Sequence, residues 1–367
     1  MADSVHHRRS RTRSVLAAAM TVLVLAPAGV LFARVWSDVS AERDRTKREQ
    51  QGVQYLAALA PLVSSLTEAQ SSALAGVTDP PASLTAAING VAAVDQRLGT
   101  VLGTRDRWTG LRQKIELLPK QTGDALTVFQ AHVEVTDLTL ALYQTVQDNS
   151  DLFKDPDNDL SHLQEALTHD LPGTVVQVSR MGDLSQLVAK ASAQQQAQLA
   201  PQFGASVLEV NNFVEALTDN LQAAVDDTAS LTLSGNLVSG LDSFRRGVES
   251  LTRGANAGGT PQAATMATAQ SQLQVSLSNL SGITTREMTG LLDKRLDTLT
   301  FRSAEAITAA AVAVVLVLAA LLLRVPTRRR PGATEARRPA EAPRDMTAEQ
   351  ASAEAAPNRR ERSSALR

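Results

Sequence analysis

Two long apolar segments constrain the fold of this chain more than any other feature of its sequence. Residues 15–32 (VLAAAMTVLVLAPAGVLF) contain one polar side chain, Thr21, and residues 306–323 (AITAAAVAVVLVLAALLL) contain no charged side chain. A helix needs roughly 17–25 mainly apolar residues to cross the ~30 Å hydrocarbon layer of a bilayer. We therefore predict transmembrane helices at residues 15–36 and 304–323.

The distribution of arginine predicts how these two helices are oriented. Arginines precede the first apolar segment and follow the second, at Arg8, Arg9, Arg11, Arg13, Arg324, Arg328, Arg329 and Arg330. The intervening residues carry about 20 basic and about 30 acidic side chains, and positively charged flanks stay cytoplasmic. We expect a two-pass protein of the bacterial inner (plasma) membrane, with a basic cytoplasmic N-terminus (1–14), an external domain (37–303) and a cytoplasmic tail (324–367).

The first apolar segment has a second interpretation, a cleaved signal peptide. It has a basic start, and the small residue Ala33 follows Leu31 and Phe32 near its end. However, its apolar stretch exceeds the ~7–15 residues usual for a signal peptide, and a helical pattern continues beyond it to Arg48. An uncleaved membrane anchor is the interpretation that this pattern favours.

The external domain has the composition and the periodicity of long helices. Only 3% of residues are aromatic, and the absence of cysteine excludes a disulfide framework. Apolar residues recur at spacings of three and four, as in the stripe Val207, Val210, Phe213, Val214, Leu217, Leu221 and Val225. Individual helices are predicted over residues 124–148 and 160–172, the second ending at a proline. We predict an all-α fold: an extended antiparallel helical bundle, built as two stacked four-helix-type bundles, between two transmembrane helices.

Three short motifs in the external domain carry a family resemblance. Residues 49–55 (EQQGVQY) have the pattern E-x-x-G-x-x-Y, residues 150–160 (SDLFKDPDNDL) contain a D-P-D-x-D turn, and residues 291–296 (LLDKRL) have the pattern L-L-x-x-R-L. In this order and spacing they resemble the external sensor region of bacterial methyl-accepting chemotaxis receptors and related membrane sensor proteins. The chain departs from that family at residues 68–71, where EAQS stands in place of a His-Arg-Gly element.

The resemblance implies a receptor-like protein that binds a ligand or a partner with its external domain. Such receptors pass the signal to a relay and a signalling or catalytic domain. Only about 44 residues follow position 323, and their Arg, Pro and Glu content is typical of disorder. We therefore expect a sensor without an output domain of its own, acting through a separate signalling protein. The alternatives are a scaffolding protein of the cell envelope and a sensor relic.

Candidate ligand-binding residues are Tyr143, Arg180, Asp155 and Asp159. Asp155, Asp157 and Asp159 alternate as at the start of a calcium loop, which also needs Gly at its sixth position and Glu at its twelfth. Those positions are Leu160 and Ala166, so a Pro-containing turn with an Asp helix cap is predicted instead. His162 and His169 are expected on a solvated helix face. No nucleophile triad or phosphate-binding loop occurs, so we expect no enzyme activity, metal or cofactor.

The arginines after the second apolar segment are the candidates for lipid or partner docking: Arg324, Arg328, Arg329 and Arg330. They lie where anionic lipid headgroups attract basic side chains, and the same arginines orient the helix. No aromatic residue in the tail offers a surface for base stacking, so no nucleic-acid partner is expected. Parallel stems would allow a homodimer. A polar-lined cavity near Tyr143 or Arg180 would favour the sensor, and a solid Leu/Ala core would favour the scaffold.

Overall fold

The computed structural model describes residues 3–77, 79–153, 155–255 and 261–323. For residues 3–22, 24, 25 and 320–323 within these ranges it describes the backbone alone. All the regular secondary structure in the described ranges is helical. The prediction of an all-α fold is therefore confirmed.

Nine α-helices are present in the described part of the chain. Their bounds are α1 Asp3–Leu74, α2 Ala82–Leu98, α3 Arg105–Leu117, α4 Ala125–Asn149, α5 Asn158–Glu165, α6 Leu171–Lys190, α7 Ala193–Asp227, α8 Leu231–Ala255 and α9 Ala263–Leu323. A 3₁₀ turn, Leu118–Lys120, follows α3, and a π turn, Ala166–Asp170, joins α5 to α6.

Helix α1 packs against α2, α4 and α6, and α7 packs against α5, α6 and α8. Helix α9 closes this arrangement through side chains. Gly240 on α8 lies against Leu280, and Gly254, also on α8, lies against Met266. Gln274 donates a 2.9 Å hydrogen bond to the Val175 carbonyl of α6.

The helices share two ends, which we call the Asp183 end and the Arg295 end after a residue at each. At the Asp183 end, Leu74 of α1, Leu126 of α4 and Leu187 of α6 line one shallow depression. At the Arg295 end, Arg295 of α9 contacts Glu49 of α1 and Asp155 before α5. Because α1, α4 and α9 run between the same two ends, these contacts do not show the predicted stacking of two bundles end to end.

The core consists of the predicted leucine-rich helix stripes. In α7, Val210, Leu217 and Leu221 of the predicted stripe are buried. Helices α8 and α9 bury matching rows at helical spacing: Leu233, Leu237, Leu241, Phe244, Leu251, Leu273, Leu277, Leu280, Met288 and Leu292. Removing these apolar faces from water provides most of the free energy that stabilises such a fold.

The predicted helix break at Pro172 is wrong, because the chain remains helical from α5 through the π turn into α6. Proline has no N–H to donate to the carbonyl four residues earlier. The π turn widens the helix immediately before Pro172, and the Leu171 N–H bonds to the Ala166 carbonyl five residues back. A helix can continue past a proline when its turn is widened in this way.

Among the described residues, one helix, Ala263–Ala319, is long and apolar enough to cross a membrane. Its most apolar stretch is not buried against other helices, and Ile307, Val312 and Leu316 are exposed. The predicted first span, 15–36, belongs to α1, but the side chains of residues 15–22, 24 and 25 lie outside the described part of the chain. The predicted tail, with Arg324, Arg328, Arg329 and Arg330, also lies outside them.

Candidate functional site

A pocket of about 520 Å³ opens between α1, α6 and α9, midway along the helices. Tyr143 of α4 and Leu167 of the π turn contribute to its wall. The apolar part of the lining consists of Ala57, Ala60, Pro61, Val63, Leu167, Leu171, Pro172, Val175 and Leu277. The hydroxyl groups of the lining belong to Ser64, Ser65, Ser83, Tyr143, Ser278, Ser281 and Thr285.

Two of these hydroxyl-bearing side chains are nearly buried, Tyr143 at 3% exposure and Ser65 at 5%. Neither hydroxyl makes a hydrogen bond to another residue in the described part of the chain. Burial raises the pKa of Tyr143 above its ordinary value, so the phenol stays protonated and can both donate and accept a hydrogen bond. Neither hydroxyl oxygen is among the fully buried side-chain atoms that lack a partner, so each keeps access to solvent from the pocket that its residue lines. A bound molecule can replace the water that hydrogen-bonds to these hydroxyls.

Glu68 is the one ionised side chain in the lining of this pocket. It is exposed at the pocket mouth, and its carboxylate accepts a 2.8 Å hydrogen bond from the Ser83 hydroxyl of α2. Among the residues that the structure describes, no Lys, Arg or His contributes to the lining. The pocket therefore combines an apolar wall with hydroxyl groups and one negative charge.

Pro61 frees a backbone hydrogen-bond acceptor on a residue that lines the pocket. It lies inside α1 and has no N–H, so the Ala57 carbonyl four residues earlier lacks its usual helical donor. Ala57 itself lines the pocket. A carbonyl freed in this way can accept a hydrogen bond from a ligand or from water.

A second polar site lies at the Arg295 end. The Arg295 guanidinium donates hydrogen bonds of 2.8 and 2.5 Å to the two carboxylate oxygens of Asp155, and one of 2.6 Å to Asp157. A longer contact of 3.4 Å reaches the buried carboxylate of Glu49, which Arg45 also contacts at 3.1 Å. This set of ion pairs, the Arg295 network, joins α1, the turn before α5, and α9.

Burial and the charge of Arg295 shift the pKa values of the carboxylates in the Arg295 network in opposite directions. Burial, with the neighbouring Asp155 charge, raises the pKa of Glu49 to about 7 despite the nearby guanidinium of Arg295. Burial alone would raise the pKa of Asp155, but the hydrogen bonds from Arg295 lower it overall. Asp155 is therefore the carboxylate that carries the charge opposite Arg295, and Glu49 is the one that gains a proton near neutral pH.

The three motifs that carry the family resemblance meet at the Arg295 network. Glu49, Asp155 and Arg295 each come from a different motif. The other two residues of the first motif also make specific contacts. Gly52 lies so close to the Ser150 side chain that a Cβ would overlap it. The Tyr55 hydroxyl donates a 2.9 Å hydrogen bond to buried Asp95 of α2.

Of the predicted ligand-binding residues, Tyr143 lines the pocket and the other three make contacts elsewhere. Arg180 donates hydrogen bonds to Thr136 at 2.7 Å and Asp137 at 2.6 Å, which join α6 to α4. Asp155 belongs to the Arg295 network. Asp159 accepts a 2.9 Å hydrogen bond from Thr228, so it joins the start of α5 to the end of α7.

The turn before α5 contains the predicted proline, but the predicted Asp helix cap is not formed, because the side chain of Asp157 at the N-cap position accepts no capping hydrogen bond. Asp155 accepts a 2.8 Å hydrogen bond from the Asp157 N–H, as in an Asx turn. Farther along, Glu165, His169 and Asp170 bring one ligand atom each within 4.8 Å of one another. His169 and Asp170 are bonded to each other at 3.0 Å, and Asn220 donates to Asp170 at 2.7 Å. These contacts make the cluster a hydrogen-bonded junction between the π turn and α7.

Sequence reasoning missed a buried carboxylate, Asp183 of α6. It accepts hydrogen bonds from Gln70 at 2.7 Å and Ser71 at 2.8 Å on α1, with a longer one of 3.4 Å from Ser179. Burial raises the pKa of Asp183 to about 6, although these hydrogen bonds oppose the shift. The signal in the sequence was an Asp between Met181 and Leu184 on an apolar helix face.

The hydroxyl groups of the pocket also had a signal in the sequence. Ser278, Ser281 and Thr285 of α9 recur at spacings of three and four, so they form one polar stripe beside the leucine stripe of the same helix. The stripe faces Ser64 and Ser65 of α1 across the pocket. Helical periodicity alone predicts the stripe, but it does not predict which helix the stripe faces.

Comparison with protein-family models gives no match for this chain. No curated protein matches it. No solved structure matches it either. The resemblance to chemoreceptor sensor regions therefore rests on the three motifs and stays a prediction.

Proposed function

We propose that this protein is a membrane-anchored sensor that binds a small molecule in the pocket between α1, α6 and α9. The observation that carries the proposal is the position of Tyr143: its residue is nearly buried, it lines the pocket, and its hydroxyl has no hydrogen-bond partner among the described residues. The pocket volume of about 520 Å³ lies within the ~300–1,000 Å³ that is typical of small-molecule sites. A scaffolding protein needs no such cavity in its core.

The proposal includes a two-pass topology in a bacterial plasma membrane. The exposed apolar stretch of α9 supports one span, because exposed apolar side chains such as Val315 and Leu316 are unfavourable in water. The apolar segment 15–32 and the flanking arginines of the sequence support the second span and cytoplasmic termini. The residues between the spans then form the external domain.

The location of the pocket supports a sensing role. Ala57 and Pro61 of α1 and Ser278 and Ser281 of α9 line it, so a ligand would contact the two helices that lead to the apolar segments. A ligand that binds one arrangement of α1 and α9 better than another shifts the population between them. A separate signalling protein would detect that shift, directly or through the tail.

The experiment uses the full chain in lipid nanodiscs. Because the chain has no cysteine, Ser40→Cys on α1 and Thr300→Cys on α9 would introduce unique spin-label positions. Thermal unfolding against a metabolite library identifies ligands, since a ligand at 100 times its Kd stabilises a fold by ~2.7 kcal/mol. Spin-label distances then report whether the ligand moves α1 relative to α9.

Gly282→Leu tests whether the ligand binds in this pocket. A Cβ at Gly282 meets only the end of the Arg286 side chain, at 3.5 Å, so the added side chain fills the pocket without overlap. Gly290→Leu on the same helix is the matched control, since a Cβ there meets no atom within 4 Å. Stabilisation lost in Gly282→Leu and kept in Gly290→Leu supports the proposal. Equal stabilisation of both variants would place the ligand elsewhere.

A further inference from the structure

We propose that the pocket takes a monovalent organic cation, an amine with a compact apolar body whose ammonium group binds at Glu68. This inference rests on the proposed function, because it assigns a ligand class to the same pocket. Its evidence is the kind of polar group in the lining and the position of the one ionised side chain.

The charge of the lining favours a cation. Glu68 is the one ionised residue there, and no cationic side chain in the described part of the chain forms an ion pair with it. The Ser83 hydroxyl supplies its one hydrogen bond, which leaves three or so of the carboxylate's acceptor positions open. An ammonium group supplies the missing opposite charge and up to about three N–H donors.

The other polar groups of the pocket can all accept hydrogen bonds. The Ala57 carbonyl lacks its helical donor because of Pro61, and it can only accept. The hydroxyls of Ser65 and Tyr143 have no partner in the described residues and can accept as well as donate. A ligand that only donates hydrogen bonds can therefore form one with any polar group in the lining.

The apolar wall of the pocket indicates the chemistry of the rest of the ligand. Val63, Leu171, Val175 and Leu277 offer aliphatic surface, and the Tyr143 ring is an aromatic surface beside them. Burial of a compact hydrocarbon body against this surface is favourable at roughly 25 cal/mol per Å². A carboxylate ligand would enter the same space beside Glu68 with no cationic side chain to neutralise it, which disfavours anions.

The test compares three probes of similar shape and different charge: cyclohexylamine, cyclohexanol and cyclohexanecarboxylate. Each is titrated into the full chain in nanodiscs of zwitterionic lipid, which do not concentrate the amine by surface charge. Binding is measured by thermal unfolding and by calorimetry. We expect the amine to bind about tenfold more tightly than the alcohol, the effect of one charge-assisted hydrogen bond, and the carboxylate not to bind.

Glu68→Gln is the decisive variant, because Glu68 is exposed and its removal should not affect folding. We expect its amine affinity to fall to that of the alcohol while its alcohol affinity is unchanged. Glu209→Gln, an exposed glutamate of α7 outside the pocket, is the matched control and should keep the amine preference.

Three results would overturn the inference in different ways. If amine and alcohol bind equally and Gly282→Leu abolishes both, the pocket binds ligands without preferring a cation, so the proposed function stands and the inference fails. If the carboxylate binds most tightly, the ligand class is wrong. If amine binding is unaffected by both Gly282→Leu and Glu68→Gln, the site of amine binding is not this pocket.

Discussion

Arg295 donates a hydrogen bond from each of its two terminal nitrogens to the carboxylate of Asp155, 140 residues earlier in the chain. This fork-to-fork geometry is the strongest form of an ion pair between side chains. The same guanidinium reaches Glu49 of α1 at 3.4 Å. As a result, the first and last helices are joined at one cation near the end that leads to the apolar segments.

Arg295→Met should strongly destabilise the protein. The substitution keeps most of the aliphatic volume but leaves Asp155 and Glu49 buried without their cation. Breaking a buried ion pair in this way costs ~3–5 kcal/mol. Thermal unfolding of the full chain in nanodiscs should show a decrease in Tm on the order of 10 °C.

Lys294→Met is the control for this variant, because Lys294 is the exposed neighbour of Arg295 on α9 and makes no ion pair in the described residues. Its Tm should change little. Equal Tm values for the two variants would mean that the Arg295 network does not stabilise the fold.

Glu49→Gln should change the pH dependence of stability. The folded pKa of Glu49, about 7, lies above its ordinary value of 4.5, so folding favours the protonated form. Its stabilising contribution is present below pH 4.5 and is lost as the pH rises through 7. We expect the variant to gain Tm relative to the native chain as the pH rises from 4.5 to 8. A difference in Tm that stays constant across this range would contradict the shifted pKa.

Asp183→Asn tests the second buried carboxylate. The folded pKa of Asp183 is raised from 3.8 to about 6, so its contribution to stability is lost as the pH rises between these values. The full loss is on the order of 3 kcal/mol. The variant should therefore be more stable than the native chain above pH 6, with Gln70 reversing its amide to match the new donor. Exposed Asp242→Asn is the control, and a gain in Tm there as well would mean that burial is not the cause.

Gly52→Ala and Gly90→Ala should have opposite effects. A Cβ at Gly52 overlaps the Ser150 side chain and lies 2.7 Å from Leu152, so α1 must move away from the turn after α4. Overpacking of this kind costs ~1–3 kcal/mol. At Gly90 of α2 a Cβ meets no atom within 4 Å, and alanine should stabilise the helix by ~1 kcal/mol. Chemical denaturation of the two variants measures both effects, and a stabilised Gly52→Ala would refute the close approach.

The two tyrosines of the chain should respond differently to phenylalanine. Tyr55→Phe removes a hydrogen bond to buried Asp95, which should cost ~1–3 kcal/mol of stability. Tyr143→Phe removes a hydroxyl without a protein partner, so stability should be nearly unchanged. Its cyclohexylamine affinity should fall by ~2- to 10-fold, as expected for one neutral hydrogen bond. A stability loss in Tyr143→Phe with unchanged affinity would indicate a structural role for the hydroxyl.

Helix α4 illustrates what local sequence signals predict well. A helix was predicted over residues 124–148, and the structure has α4 from Ala125 to Asn149. Asp124 caps it by accepting a 2.8 Å hydrogen bond from the Thr127 N–H. The cap and the apolar spacing both depend on neighbouring residues, which a sequence displays directly.

The helix around Pro172 illustrates where local signals fail. Proline predicts a break, but Leu167, Leu171 and Val176 are buried on both sides of it. Keeping these side chains in the core requires the helix to continue, and the π turn accommodates the missing N–H. Tertiary packing therefore overrides the local preference.

The sequence by itself determined the helical class, the leucine stripes and the apolar stretch of α9, because each depends on residue spacing or composition along a single helix. It also contained the three motifs that hold Glu49, Asp155 and Arg295. Only the tertiary structure decided that these residues form one ion-pair network, that Tyr143 rather than Arg180 lines the pocket, and that Asp183 is buried. Those outcomes depend on which helix faces which, and on the burial that follows, since charge and hydrogen-bonding energies are set by surroundings contributed by distant parts of the chain.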